Sequence, residues 1–303
     1  MDYEMCENFN IVIEHYPDEL KINDGSNFDN ITGIRKYCPD RECNTELDKI
    51  NAVCLWLFNQ NIANGIDDLS NDQVESFIIY IMIWLNYKLN LKKDGKINNL
   101  NDFYTNYIEN NENYTNCKNG DNDCNSTLNT KAGYDNFKEV IVKNKDFSNI
   151  DFEDISKFYD AFKSLCKMHT ESNEGNIEST EYLEHANNIV DKFTKLNENY
   201  NATRNTLYIQ VWSTLSTDYN NFKKEHTDIS MGFPSFPSIK TTQHVQSSEE
   251  HSEHGSVQNY GVTSSSLSIV KKLILALSIF SAITIFLGIF YKVNNKKFKN
   301  YFH

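Results

Sequence analysis

Seven cysteines carry most of the chemistry that this 303-residue chain offers. Cys38-x4-Cys43 and Cys117-x6-Cys124 are short-range pairs in loop-like stretches, with no histidine at a spacing that would complete a tetrahedral zinc site. In an oxidising compartment such pairs close disulfides, so Cys6, Cys38, Cys43, Cys54, Cys117, Cys124 and Cys166 are all disulfide candidates. An odd total leaves at least one thiol free unless it pairs between chains. Cys54 and Cys166 fall on apolar helix faces, either as reduced core residues or as one buried bridge between two helices, and spacing alone assigns no pairs. Histidine offers less. His251-x-Glu253-His254 is half a metal motif, but it lies in a Ser/Thr-rich stretch with no helix to hold two imidazoles on one face. His169 and His185 read as satisfied surface residues. No nucleophile elbow, phosphate loop, dinucleotide fingerprint or paired-carboxylate motif is found. The residues therefore predict no enzyme: no catalytic residue, no cofactor and no metal.

The elements that must position these cysteines are helices. Only 4 Pro and 11 Gly occur, and Val-rich alternating runs are absent, which argues against a β-sandwich. Apolar residues recur at three-and-four spacing through Phe9–Tyr16, Leu47–Asn61 and Val74–Leu89. Pro17 ends the first of these helices, Gly65 lies just beyond the second, and Asp72 is expected to cap the third. The third is the most hydrophobic and the expected core helix. The spacing returns at Leu100–Ile108, Tyr134–Val142, Ile155–Cys166, Ile177–Leu196 and Leu207–Phe222. Residues 18–40 read as loop-like. Residues 110–132, polar and Asn-rich, read as an exposed loop holding Cys117 and Cys124. The Asn-x-Ser/Thr sequons at Asn30, Asn113, Asn125 and Asn201 are matches that an Asn-rich chain produces by chance. The fold class expected is all-α: a disulfide-supported helical body over residues 1–230, a low-complexity stalk over 231–268, a transmembrane helix over 269–292 and a short basic tail over 293–303.

Charge and hydropathy divide along the same line. Mean hydropathy is −0.58, yet Leu273–Tyr291 runs nineteen residues without a charge. At 1.5 Å per residue that is about 28 Å of helix, close to the hydrocarbon thickness of a bilayer. Lys271 and Lys272 flank one mouth; Lys292, Lys296 and Lys297, with Lys299 beyond, flank the other. Residues 1–270 hold 23 basic against 42 acidic residues, a net of −19. A body so acidic disfavours nucleic acid as a partner, because phosphates demand Lys and Arg. The positive-inside rule places the tail in the cytoplasm and residues 1–270 outside. The competing geometry is a tail-anchored protein with a cytosolic body. Met1–Glu7 is acidic and lacks an apolar core, so no secretory signal peptide is expected. The partner implied is the lipid bilayer through the span.

From Cys6 to Lys292 the chain resembles the Plasmodium interspersed repeat (PIR) family, in its rodent-parasite Cir/Yir/Bir form. The resemblance rests on Tyr16-Pro-Asp-Glu-Leu20, Lys36-Tyr-Cys38 with Cys43, Leu47-Asp-Lys-Ile-Asn-Ala52, and Ile83-Trp-Leu-Asn-Tyr-Lys-Leu-Asn-Leu91. Leu100-Asn-Asp-Phe-Tyr104, Ile155-Ser-Lys-Phe-Tyr-Asp-Ala-Phe-Lys-Ser-Leu-Cys166 and Ser213-Thr-Leu-Ser-Thr-Asp-Tyr219 follow, then Ser268-Ile-Val-Lys-Lys-Leu-Ile274 and Ile285-Phe-Leu-Gly-Ile289. The resemblance implies a helical, disulfide-supported ectodomain on a single span, variant display on or within the infected cell, a role in immune evasion and, as partner of the body, an unidentified host-cell or immune receptor. It carries over Cys6, Cys38, Cys43, Cys54 and Cys166 as family cysteines. The chain departs from the pattern at Ser179 and near Lys224, where many members have Cys, and Cys117 and Cys124 look additional. No Arg-x-Leu export motif is found, since Thr206 stands where Leu would follow Arg204.

Overall fold

A computed structural model describes residues 1–18, 27–91, 99–174, 179–202, 205–226 and 237–239. The transmembrane stretch, its lysine flanks and tail, and nearly all of the stalk expected from sequence lie outside those residues. Among the described residues no helix is long and apolar enough to cross a membrane.

Helix α1 (Tyr3–His15) starts at Asp2, whose carboxylate accepts the Met5 amide at 3.0 Å. It buries Met5, Cys6, Phe9 and Val12 along one stripe and ends before Pro17. Three short 3-10 turns (Phe28–Asn30, Ile34–Tyr37, Pro39–Arg41) then lead to α2 (Glu46–Phe58). Thr45 and Asp48 cap α2 reciprocally, each side chain accepting the other's backbone N–H at 3.0 and 2.9 Å. All residues from Ile50 to Phe58 are buried, so α2 is enclosed on every side, and it continues as a π-helical turn, Asn59–Ala63.

Helix α3 (Asn71–Leu91) is the core helix: every residue from Phe77 to Asn86 is buried. The cap expected at Asp72 is instead Ser70. Its hydroxyl accepts the Gln73 amide at 3.2 Å while the Gln73 side chain accepts the Ser70 amide at 2.9 Å, leaving Asp72 as an acid in the first turn, favourable to the helix dipole.

The stretch expected to be an exposed loop is built differently. After α4 (Leu100–Phe103) and a π-helical turn (Tyr104–Ile108), residues 118–119 and 122–123 pair as a two-stranded antiparallel hairpin, β1 and β2, and Asn125–Ala132 form helix α5. Tyr114, Cys117, Cys124 and Leu128 are buried. These few apolar residues are diluted among many Asn and Asp, which hides their periodicity in the sequence. The chain continues through α6 (Phe137–Lys143), capped by Asn136, and a 3-10 turn (Lys145–Asn149).

Three long helices complete the head: α7 (Phe152–Glu174), α8 (Ser179–Ala202) and α9 (Thr206–Glu225). Helix α7 packs against α1, α3, α8 and α9. Among the described side chains of α8, the buried positions are Tyr182, Ala186, Ile189, Phe193 and Leu196, an alternating four-three spacing that gives one narrow seam. Its polar partners on α7 run in reverse order: His185 with Glu171, Asn188 with Ser164, Lys192 with Asp160. The two helices are therefore antiparallel. Near the centre, Phe162 of α7 meets Phe9 of α1 edge-on and stacks on Tyr80 of α3, both at 4.7 Å between ring centroids.

Candidate functional site

The cysteines, the strongest candidates from sequence, are distributed over three places. Cys6 on α1 is bonded to Cys166 on α7, with the bond fully buried. Cys38 is bonded to Cys43, closing a loop between the 3-10 turns and α2, and Cys117 to Cys124, closing the base of the β hairpin. Cys54 is not a disulfide residue: it is a free thiol, buried in α2. Of the two alternatives for Cys54 and Cys166, the shared bridge is excluded because Cys166 faces Cys6, while Cys54 faces the Tyr114 hydroxyl within hydrogen-bond reach. Burial pushes the Cys54 thiol up to about 12, so it stays protonated and unreactive.

The Cys38–Cys43 loop borders a cleft of about 510 Å³ lined by Asn27, Phe28, Asp29, Arg35, Glu42 and Lys49 among others. Arg35 pairs with Asp29 at 2.6 Å across exposed surface. At the loop's tip Asp40 and Arg41 both adopt positive φ (48° and 63°), a left-handed conformation that costs non-glycine residues about 1 kcal/mol each. The short disulfide ring holds them there, and both side chains point into solvent. This loop thus presents a fixed backbone shape with one acid and one base at its tip.

A second cleft, about 380 Å³, lies between α1 and the π turn after α2; Asp2, Glu4, Glu7, Asn8, Gln60 and Asn61 contribute to its wall. Both clefts are open and polar, suited to contact with a polar surface. Among the described residues no group of three or more His, Cys, Asp and Glu side chains is placed to hold a metal ion.

Several charged and polar groups are placed in ways that sequence reasoning missed. Lys88, fully buried in α3, donates to the carbonyls of Tyr16 and Pro17 at 3.0 and 3.1 Å, pairs with Asp18 at 3.1 Å and lies 4.3 Å from the Tyr16 ring centroid. Asp18 also meets Lys163 of α7 at 3.3 Å. A lysine in register with Trp84 and Leu85 on the apolar face of the core helix was the signal available. Asp218 of α9 accepts from Tyr80 and lies 3.1 Å from the Met1 ammonium. Burial and then the Asp218 charge push the Tyr80 phenol well above its ordinary range. His169, read from sequence as a satisfied surface residue, is half-buried, edge-on to Phe222 at 4.8 Å, with Nε2 unpartnered. Burial first, then the Met1 ammonium and His226, lower its pKa from 6.5 to about 3, so it is neutral. Its position on the inner side of an amphipathic helix is where an imidazole fills space as well as it meets water.

Comparison with known proteins places this arrangement. The family model described as "Plasmodium variant antigen protein Cir/Yir/Bir" matches residues 6–292. Among solved structures, the chain is similar to one described as "Structure of a Plasmodium PIR protein ectodomain", with a TM-score of 0.59 and 28% sequence identity, covering 80% of this chain and 98% of that one. Among curated proteins there is no match.

Proposed function

The chain belongs to the Plasmodium interspersed repeat family of Cir/Yir/Bir variant antigens, and from that premise we propose that it is a membrane-anchored variant surface antigen. In this reading the helical head is displayed outside the cytosol on or within the infected cell, a single C-terminal span holds it in the bilayer, and the basic tail is cytoplasmic. The head works by contact and by variation of what it exposes. It has no reaction to perform, and its partner is a host-cell or immune receptor.

The observation that carries this reading is the pairing of six of the seven cysteines. Disulfides persist in oxidising compartments and are rare in the cytosol, so the pairing supports a head that has left the cytosol. The nineteen uncharged residues Leu273–Tyr291, with lysines on both sides, support the anchor. The strained Cys38–Cys43 loop and its cleft supply a rigid, solvent-facing feature for recognition.

Topology on intact infected cells tests the proposal. An impermeant lysine-directed label, or protease added from outside to cells whose membranes are intact, should modify residues 1–226 and leave the tail protected. If the tail is attacked while the head stays protected, the orientation is the reverse.

A further inference from the structure

The described segment Pro237–Ile239 does not lead away from the head. Tyr219 of α9 donates its hydroxyl to the Pro237 carbonyl at 2.7 Å. Lys223, one turn further on, reaches the same carbonyl at 3.4 Å and the Ser238 hydroxyl at 2.6 Å. Ile239 packs, half-buried, against the core. The Tyr219 ring is fully buried, so its hydroxyl is held in place from behind. Tyr219 precedes the end of the helix at His226 by seven residues, about 10 Å along the axis. Residues 237–239 are therefore bound on the flank of α9 itself. Pro237 suits the position: its φ is fixed and it has no N–H to satisfy, so it presents a carbonyl at low entropic cost.

We propose that Tyr219, Lys223 and the core surface under Ile239 form an intramolecular docking site that clasps residues 237–239, so that the head ends at Ile239 and the tether to the membrane departs from the flank of α9. Composition alone assigns residues 231–268, with 237–239 among them, to the stalk. The clasp moves the point of departure from the C-terminal end of α9 to its flank; what this means for load rests on the reading that the chain is membrane-anchored. Pull on the tether is then borne by the two donors and the Ile239 contact, across α9, and does not peel the helix from its C-terminal end.

Trypsin tests the clasp directly, because Lys240 follows it and a protease must draw several residues on either side of its target bond into an extended strand. In the full chain held in detergent micelles, the Lys240–Thr241 bond should be cut roughly tenfold more slowly than in Tyr219→Phe, Lys223→Gln or Ile239→Ser variants, since cleavage in this regime tracks the open population. Tyr219→Phe keeps the buried ring, and the other two alter only the helix flank and the docked segment. The rate of tryptic cutting within residues 1–218 reports whether each head remains folded, and at least the Lys223 and Ile239 variants should match the parent there. Equal rates at Lys240 in the parent and in these folded variants would overturn the clasp, as would a parent rate equal to that of the heat-unfolded chain. The readout is independent of which side of a membrane the head occupies, so a failed topology experiment and a failed clasp are distinct results.

Discussion

Cys6 of α1 and Cys166 of α7 are bonded across a sequence separation of 160 residues. The bond ties the first helix of the head to the helix against which α1, α3, α8 and α9 all pack. On the chain-entropy account, closing a loop of that length is worth about 5 kcal/mol, against about 2 for each of the short loops at Cys38–Cys43 and Cys117–Cys124. The double variant Cys6→Ser/Cys166→Ser should therefore lose the most stability of the three paired-cysteine variants. Denaturant midpoints measured without reductant give the ranking; a larger loss from either short loop would contradict it.

The Lys88–Asp18 pair fixes the chain where it leaves α1. Removing only the acid leaves a fully buried ammonium facing two carbonyls, so Asp18→Asn should cost about 3 kcal/mol. Lys88→Met should also destabilise, because the carbonyls of Tyr16 and Pro17 lose their donor. The two changes share one network, so the double variant should cost clearly less than their sum. A urea double-mutant cycle measures this, and strict additivity would mean the pair is not coupled.

His169 gives the head an acid sensitivity whose sign follows from its environment. Its folded pKa is lowered to about 3 from 6.5, so below pH 6.5 the unfolded chain binds a proton that the folded chain refuses. Stability contributed by the neutral ring is present above pH 6.5 and is lost as pH falls toward 3, at a slope approaching about 1.4 kcal/mol per pH unit. Thermal melts between pH 7 and pH 4 should show this decline, and His169→Gln should flatten it. An unchanged slope in that variant would assign the acid sensitivity elsewhere.

Cys54 is predicted to be silent in the native head. Burial holds its thiol protonated and out of reach. A maleimide should label no cysteine in the folded, unreduced protein and one per chain after unfolding without reductant. Rapid native labelling would show that the α2 environment opens.

What the sequence made legible, and what it hid, has physical causes. Long amphipathic helices such as α7 and α9 declare themselves because a single buried stripe repeats over five turns. The antiparallel hairpin and α5 were hidden because Tyr114, Cys117, Cys124 and Leu128 are too sparse among Asn and Asp to show a period. The pairing of Cys6 with Cys166 was illegible because both lie on apolar faces, where a thiol and a bridge look alike. Cys54, on the same kind of face, turned out to be the unpaired one. Asp72 was the expected cap, yet the cap was decided by the reciprocal bonds between Ser70 and Gln73. The clasp was masked by its own composition, since Pro and Ser signal linker whether or not their carbonyls and hydroxyls find donors.

The central claim, a disulfide-stapled variant antigen head held outside the cytosol, is tested most directly by the cysteine state of the protein recovered from infected cells. Free thiols are blocked at lysis and the unreduced protein is digested and mapped by mass spectrometry. The account predicts Cys6–Cys166, Cys38–Cys43 and Cys117–Cys124 as crosslinked peptides, with Cys54 alone carrying the blocking group. Recovery of all seven cysteines blocked and no crosslinked peptide would contradict it and place the head in a reducing compartment.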